Sequence, residues 1–331
     1  MKKFKTFIDL AKKSYKSWMD NEPFQKSAII AYYTLFSLPS LLIIVVTIAG
    51  YFFGKEAVQG RITGQISHFI GVGAAEAIEN MISSAALDSN STLTVIFGVA
   101  MLIFGATGVF FQLKIAMNNI WNVAEKKATF FRMVMDRLIS FGMILVIGFL
   151  LLLALIVSAA ISFLSEFIGS SAQIVSSYVI EIINYLISFL FITSLFAFIF
   201  QLLPDVKIKW RVTLRGAALT TVLFLIGESI IGFYFGNTDP GSVYGGASSI
   251  VLILLWVNYT CLIMFFGAEF TVQYALHKNE KISPNDFSEP AIHQELEKLE
   301  EKKVKLEEDN KIMECLDNNE DPDDCTPEKV D

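Results

Sequence analysis

Apolar runs long enough to cross a bilayer recur along this chain until residue 277 and then stop. A helix rises about 1.5 Å per residue, so about 20 mostly apolar residues cross a hydrocarbon core of roughly 30 Å. Six segments meet that requirement: Ala28–Phe53, Leu93–Phe111, Leu138–Leu164, Val179–Leu203, Leu214–Phe235 and Ser249–Val272. The expected fold is therefore all-α, a six-transmembrane-helix bundle over residues 28–277. Residues 56–87 keep a helical apolar period but carry charges, which predicts interfacial helices rather than a span. Composition agrees: 53% of the 331 residues are hydrophobic and 29 are Phe, above the about 45–50% of soluble domains.

Charge sets the expected orientation. Residues 1–27 form a basic, amphipathic segment with Lys2, Lys3, Lys5, Lys12, Lys13, Lys16 and Lys26. Lys114, Lys126, Lys127, Arg132 and Arg137 flank the second loop, and Lys207, Lys209, Arg211 and Arg215 the fourth. The alternate loops hold only Lys55 and Arg61. Basic residues near span ends stay cytoplasmic, so both termini are expected inside, in a bacterial plasma (inner) membrane. The first residues lack an apolar stretch ending in a small-residue cleavage site, unlike a removed signal peptide. Cys261 falls in a span, and Cys315 and Cys325 lack metal-ligand spacing.

Residues 278–331 form a charged tail, expected helical and then disordered. "EKISPNDFSEP" reads as a polar linker with two prolines. Leu296, Leu299, Leu306 and Met313 fit a heptad seam that Lys303 and Asn310 interrupt, so a solvated charged helix is the expectation. The linker and tail offer the bundle no apolar surface, and deleting residues 285–331 is expected to leave it folded.

The candidate site is polar matter at membrane depth. Glu228 lies about 21 Å into the fifth span. A carboxylate there costs at least about 2.5–3.5 kcal/mol on insertion scales and faces a bundle interior or a wet cavity. Asn184, about 9 Å down the fourth span, and Asn258, about 15 Å down the sixth, lie at comparable depth. Two explanations stand: an outward-facing polar cavity with Glu228 as its responsive group, or a hydrogen-bonded tie between helices. "TDPGSVYGGASS", with Gly241, Tyr244, Gly245 and Gly246, is either a re-entrant gate or a turn with Ser248 capping the next helix. At the inner face, Glu269 is expected to anchor to Lys114 or Arg215, Trp121 to sit in the interfacial aromatic belt, and Asn118 to cap or cross-link a loop. Pro39 is expected to kink the first span, and Gly232 and Gly236 to form a small-residue packing face.

Three stretches in order, "AIIAYYTLFSLPSLLIIVVTIAG", "TGVFFQLKIAMNNIWNV" and "SVYGGASSIVLILLWVNYTCLIMFFGAEF", resemble the YihY/BrkB family of bacterial inner-membrane proteins, once labelled ribonuclease BN. The resemblance covers roughly residues 9–275. It rests on Asn118, Ile120 and Trp121, on Tyr244 and Gly245, on Trp256, and on Gly267, Ala268 and Glu269. Glu228 also matches, although many members carry a Lys two residues on, where this chain has Ile230. The resemblance implies a six-helix membrane bundle without naming a reaction. Nuclease chemistry needs clustered ligands, and His68, His277 and His293 are far apart. No enzyme activity, no cofactor and no metal are expected. The expected partners are membrane lipids and an unidentified solute, not nucleic acid; homo-oligomer formation stays open. The expected function is a transporter or exporter of a small or amphipathic solute, lipid included. The alternative is a non-transporting scaffold or envelope-integrity protein.

Overall fold

The computed structural model describes residues 2–36, 108–126, 173–237 and 248–317. Seven helices lie among them: α1 (Lys2–Asp20), α2 (residues 23–36), α3 (residues 108–120), α4 (Gln173–Leu202), α5 (Trp210–Asn237), α6 (Ser248–His277) and α7 (Ala291–Asp317). Four short strands join them: β1 (Val123–Glu125), β2 (Val206–Lys207), β3 (Ser283–Pro284) and β4 (Ser288–Pro290). Three helices contain apolar stretches long enough to cross a membrane, Tyr185–Leu202, Trp210–Ile231 and Ile250–His277. They coincide with the expected fourth, fifth and sixth spans. The third span, most of the first two, the interfacial helices 56–87, Pro39 and the loop with Gly241, Tyr244, Gly245 and Gly246 lie outside the described residues.

α5 packs between α4 and α6. Its contact with α6 is built on a repeated pentapeptide pattern, "GAALT" at 216–220 and "GAEFT" at 267–271. A Cβ placed on Gly216 would overlap the Thr271 hydroxyl, and one on Gly267 would overlap that of Thr220. Each Thr satisfies its hydroxyl on its own helix: Thr220 Oγ1 donates to the Gly216 carbonyl at 2.8 Å, Thr271 Oγ1 to that of Gly267 at 2.7 Å. The polar groups are thus paired before the helices meet, and the missing side chains let the backbones approach. In lipid, where apolar surface gains nothing by leaving the solvent, such close packing is the attractive term. A further contact of the same kind sets Gly227 under the Tyr259 hydroxyl. The expected Gly232–Gly236 face is not among the described side chains.

α4 joins α5 through a buried hydroxyl pair, Thr193 Oγ1 to Thr221 Oγ1 at 3.0 Å. An aromatic series runs across the three spans, with Phe196 and Phe224 centroids 5.8 Å apart and Phe224 and Trp256 also 5.8 Å. α3 enters the same core through Leu113, Met117 and Ile120.

One end of the bundle gathers the termini of α3, α4, α5 and α6 together with the lysine-rich α1; we call it the basic end. Asn122 and Asn279, at φ 54° and 52°, follow α3 and α6. Asn tolerates this left-handed geometry better than most residues and stops a helix there. The chain after α6 then folds back. β4 pairs antiparallel with β1 (Glu125 opposite Ser288) and β3 with β2 (Lys207 opposite Ser283). The stretch expected as a free polar linker is therefore a cap laid across two loops, and the otherwise helical fold carries two small ladders. Pairing was open to it because both loops leave their strand donors and acceptors unmet, and buried backbone groups require partners.

Candidate functional site

Asp205 organises the basic end. It is buried, and each of its polar atoms has a partner. Its amide donates to Asn118 Oδ1 at 2.8 Å. Oδ2 accepts from Asn118 Nδ2 at 3.1 Å and faces Lys114 Nζ at 3.0 Å. Oδ1 accepts from Asn285 Nδ2 at 3.0 Å. Its carbonyl accepts from the Asn285 amide at 2.9 Å and from Ser288 Oγ at 2.6 Å. Lys114 Nζ also reaches Glu125 Oε1 at 2.9 Å. Charges this deeply buried are tolerated only when paired and hydrogen-bonded, and here they are. The cluster holds together the ends of α3 and α4 and the folded-back chain. Outside it, Lys207 pairs with Asp286 at 2.8 Å and holds that exposed carboxyl below the usual carboxylate range.

Asn118 cross-links the loops, one of the two roles expected of it. Trp121 departs from expectation: it is buried in the core and not in a lipid-facing belt. It belongs to the same core cluster as Met117 and Ile120, and its Nε1 has no hydrogen-bond partner among the described residues.

Glu269 departs as well. It is 1% exposed rather than at the surface. Neither expected base reaches it: Lys114 is held by Asp205 and Glu125, and Arg215 donates to the Tyr274 hydroxyl. Asn21, at the turn after α1, donates to Glu269 Oε1 at 2.6 Å. α1 covers this part of α6 through ring contacts of Phe7 with Phe270 and Trp18 with Phe266. Lys26 lies close enough to feel the Glu269 charge; burial pulls its ammonium below the ordinary value while Glu22 and Glu269 oppose the shift. Counting about 1.5 Å per residue puts Glu269 about 30 Å along its span, at the inner surface; such a count carries no sign of a second helix packed over that depth.

In the spans, Asn258 Nδ2 donates to Ser27 Oγ at 2.9 Å, tying α6 to α2. Its neighbour Tyr259, about 100° around the helix, turns to α5, where its hydroxyl sits over Gly227 and lies near Glu228. Asn258 thus turns to α2 and Tyr259 to α5, and Asn258 and Glu228 are not bonded to one another. Asn184 is on α4, and its side chain is outside the described residues. Glu228 itself is partly buried on α5 and makes no hydrogen bond or ion pair among the described residues. Among these residues no group of three His, Cys, Asp or Glu side chains converges as metal ligands would. Asp205, Asn285 and Ser288 are the components that sequence reasoning missed.

Comparison with known proteins places this arrangement. A family model described as Virulence factor BrkB matches residues 14–290, which takes in the end of α1, the three spans and the folded-back cap. The UPF0761 membrane protein of Xanthomonas campestris pv. campestris (strain B100) is 25% identical over 256 residues, 77% of this chain and 58% of that protein. This chain thus spans little more than half the length of those Xanthomonas relatives. The ribonuclease-like protein YfkH of Bacillus subtilis is 22% identical over 276 residues, 83% of this chain and 98% of that protein. No solved structure matches. With a match running from α1 through the last residue of β4, this membrane protein belongs to the virulence factor BrkB family.

Proposed function

We propose that the protein is a transporter or exporter, its basic end toward the cytoplasm, with an outward-facing polar cavity around Glu228. The observation that carries this is a contrast in partners. Polar side chains that tie helices together in this bundle have visible partners: Asn258 with Ser27, Glu269 with Asn21, Thr193 with Thr221. Glu228 has none among the described residues. A carboxylate kept at membrane depth as a tie would bond across helices; Glu228, which bonds to none of the described residues, fits a group that meets water, a proton or a solute. Six spans, with Asn184, Tyr244, Gly245 and Gly246 on the solute path, complete the proposal. The solute is small or amphipathic, a lipid included. No reaction is assigned.

A scaffold role is the second reading. It draws on α7, which projects from the cap with Leu299, Leu306 and Met313 all more than 60% exposed.

The test is a pair of variants in purified, reconstituted protein. Glu228→Gln should keep the wild-type melting temperature and lose movement of solute or lipid across vesicles. Full transport in Glu228→Gln, with a lowered melting point in Glu228→Ala, would make Glu228 a tie and remove it from the mechanism.

A further inference from the structure

α1 has three sides, and only one is used by the fold. At about 100° per residue, Leu10, Ser14, Ser17 and Trp18 fall together and face α6; Leu10 and Ser14 are fully buried there. Next to this side lie Ile8, Tyr15 and Met19, which are 39%, 56% and 43% exposed. Beyond them come Lys5, Lys12 and Lys16, all exposed and without an ion pair among the described residues. An apolar stripe flanked by a lysine row, on a helix that crosses nothing, is the pattern of a helix lying in a membrane interface.

The packing places it there. α6 has 30 residues, about 45 Å at 1.5 Å per residue, against roughly 30 Å of hydrocarbon. Part of it must project past the apolar core. α1 packs on the half of α6 that ends at the basic end, through Phe7 on Phe270 and Trp18 on Phe266. The Asn21–Glu269 bond fixes its far end at 2.6 Å. A helix held at that level has headgroups beside it, so its uncovered apolar stripe meets acyl chains while its lysines meet phosphates.

We propose that the Ile8–Tyr15–Met19 stripe with Lys5, Lys12 and Lys16 is a docking surface for the anionic lipid leaflet at the basic end. The charge selects the occupant: lysines near a membrane surface are attracted to acidic headgroups and not to zwitterionic ones. The Lys13–Asp9 pair, 3.0 Å apart on the outer side, neutralises the part of α1 turned away from lipid.

The full chain can test this with Cys315 and Cys325 changed to Ser, the buried Cys261 left in place, and one added cysteine at Tyr15, Met19 or Lys13 that carries an environment-sensitive fluorophore. The protein is reconstituted in phosphatidylcholine with or without phosphatidylglycerol. Nitroxide lipids labelled near the headgroup should quench positions 15 and 19 several-fold more than position 13, and phosphatidylglycerol should widen the gap. The triple variant Lys5→Gln, Lys12→Gln, Lys16→Gln should abolish the phosphatidylglycerol effect without moving the melting temperature. Equal aqueous quenching at 15 and 13 would overturn the proposal, as would indifference to phosphatidylglycerol. Cross-linking of position 15 between copies in place of lipid quenching would assign the stripe to a second chain and overturn it too.

Discussion

Asp205 and Glu228 are both carboxylates in an apolar chain, and the protein treats them oppositely. Around Asp205 every donor and acceptor is matched, by residues drawn from two stretches far from it in sequence. Around Glu228 the described structure supplies only Tyr259 nearby and no bond. A group that exists to hold a structure together is saturated, because an unmatched one forfeits its desolvation. The role proposed for Glu228 asks for the opposite, a group left open to something other than the fold.

The contrast can be broken in order of expected effect. Deleting residues 285–331 removes Asn285, Ser288 and β4, and should lower stability by more than the about 3–5 kcal/mol of a single broken buried pair. Deleting 299–331 leaves the cap together with the bonds of Ala291 to Asn122 and of Gln294 to Glu125 and Glu289, and should leave the melting temperature in detergent unchanged. Equal behaviour of the two truncations would mean the cap holds nothing. Asp205→Ala strands Lys114 with Glu125 alone and should cost about 3–5 kcal/mol by thermal unfolding. Gly216→Leu forces a side chain into Thr271 and should cost about 1–3 kcal/mol by the same measurement, or separate α5 from α6 outright. Wild-type stability there would show that the two helices do not meet at "GAALT" and "GAEFT". Asn258→Ala loses one bond to Ser27 and should cost about 0.6 kcal/mol, the average for a hydrogen bond in a membrane. Glu228→Gln stands at the end of the series, with no change in melting temperature.

The three described spans were legible because twenty-residue apolar runs have few other uses. The cap was not. Asp205 sits in "LLPDVK" and Asn285 and Ser288 in "SPNDFSEP", short polar residues beside prolines that locally read as turns. Their bonds depend on a chain end returning beneath two loops, which no local pattern encodes. Trp121 reads as a belt residue for a related reason: its place near a span end is local, and the core cluster that buries it is not. Glu269 was placed by counting along one helix, and α1 covers it from the side. The Gly–Thr pairing was open to inspection as a repeated G-A-x-x-T, but its partner face requires knowing that α5 and α6 are neighbours. Glu228 is legible from its depth and from the resemblance, whereas the bonds of Asn258 to Ser27 and of Glu269 to Asn21 are not, because they join helices far apart in sequence.

Water access at position 228 tests the central claim most directly. A thiol reacts with a maleimide only where water reaches it. Glu228→Cys, with Cys315 and Cys325 replaced by Ser and Cys261 buried in the core, should be labelled by a membrane-impermeant maleimide added to the outside of intact spheroplasts. No labelling by that reagent, while denatured protein labels fully, would put position 228 against lipid or packed protein and contradict the account.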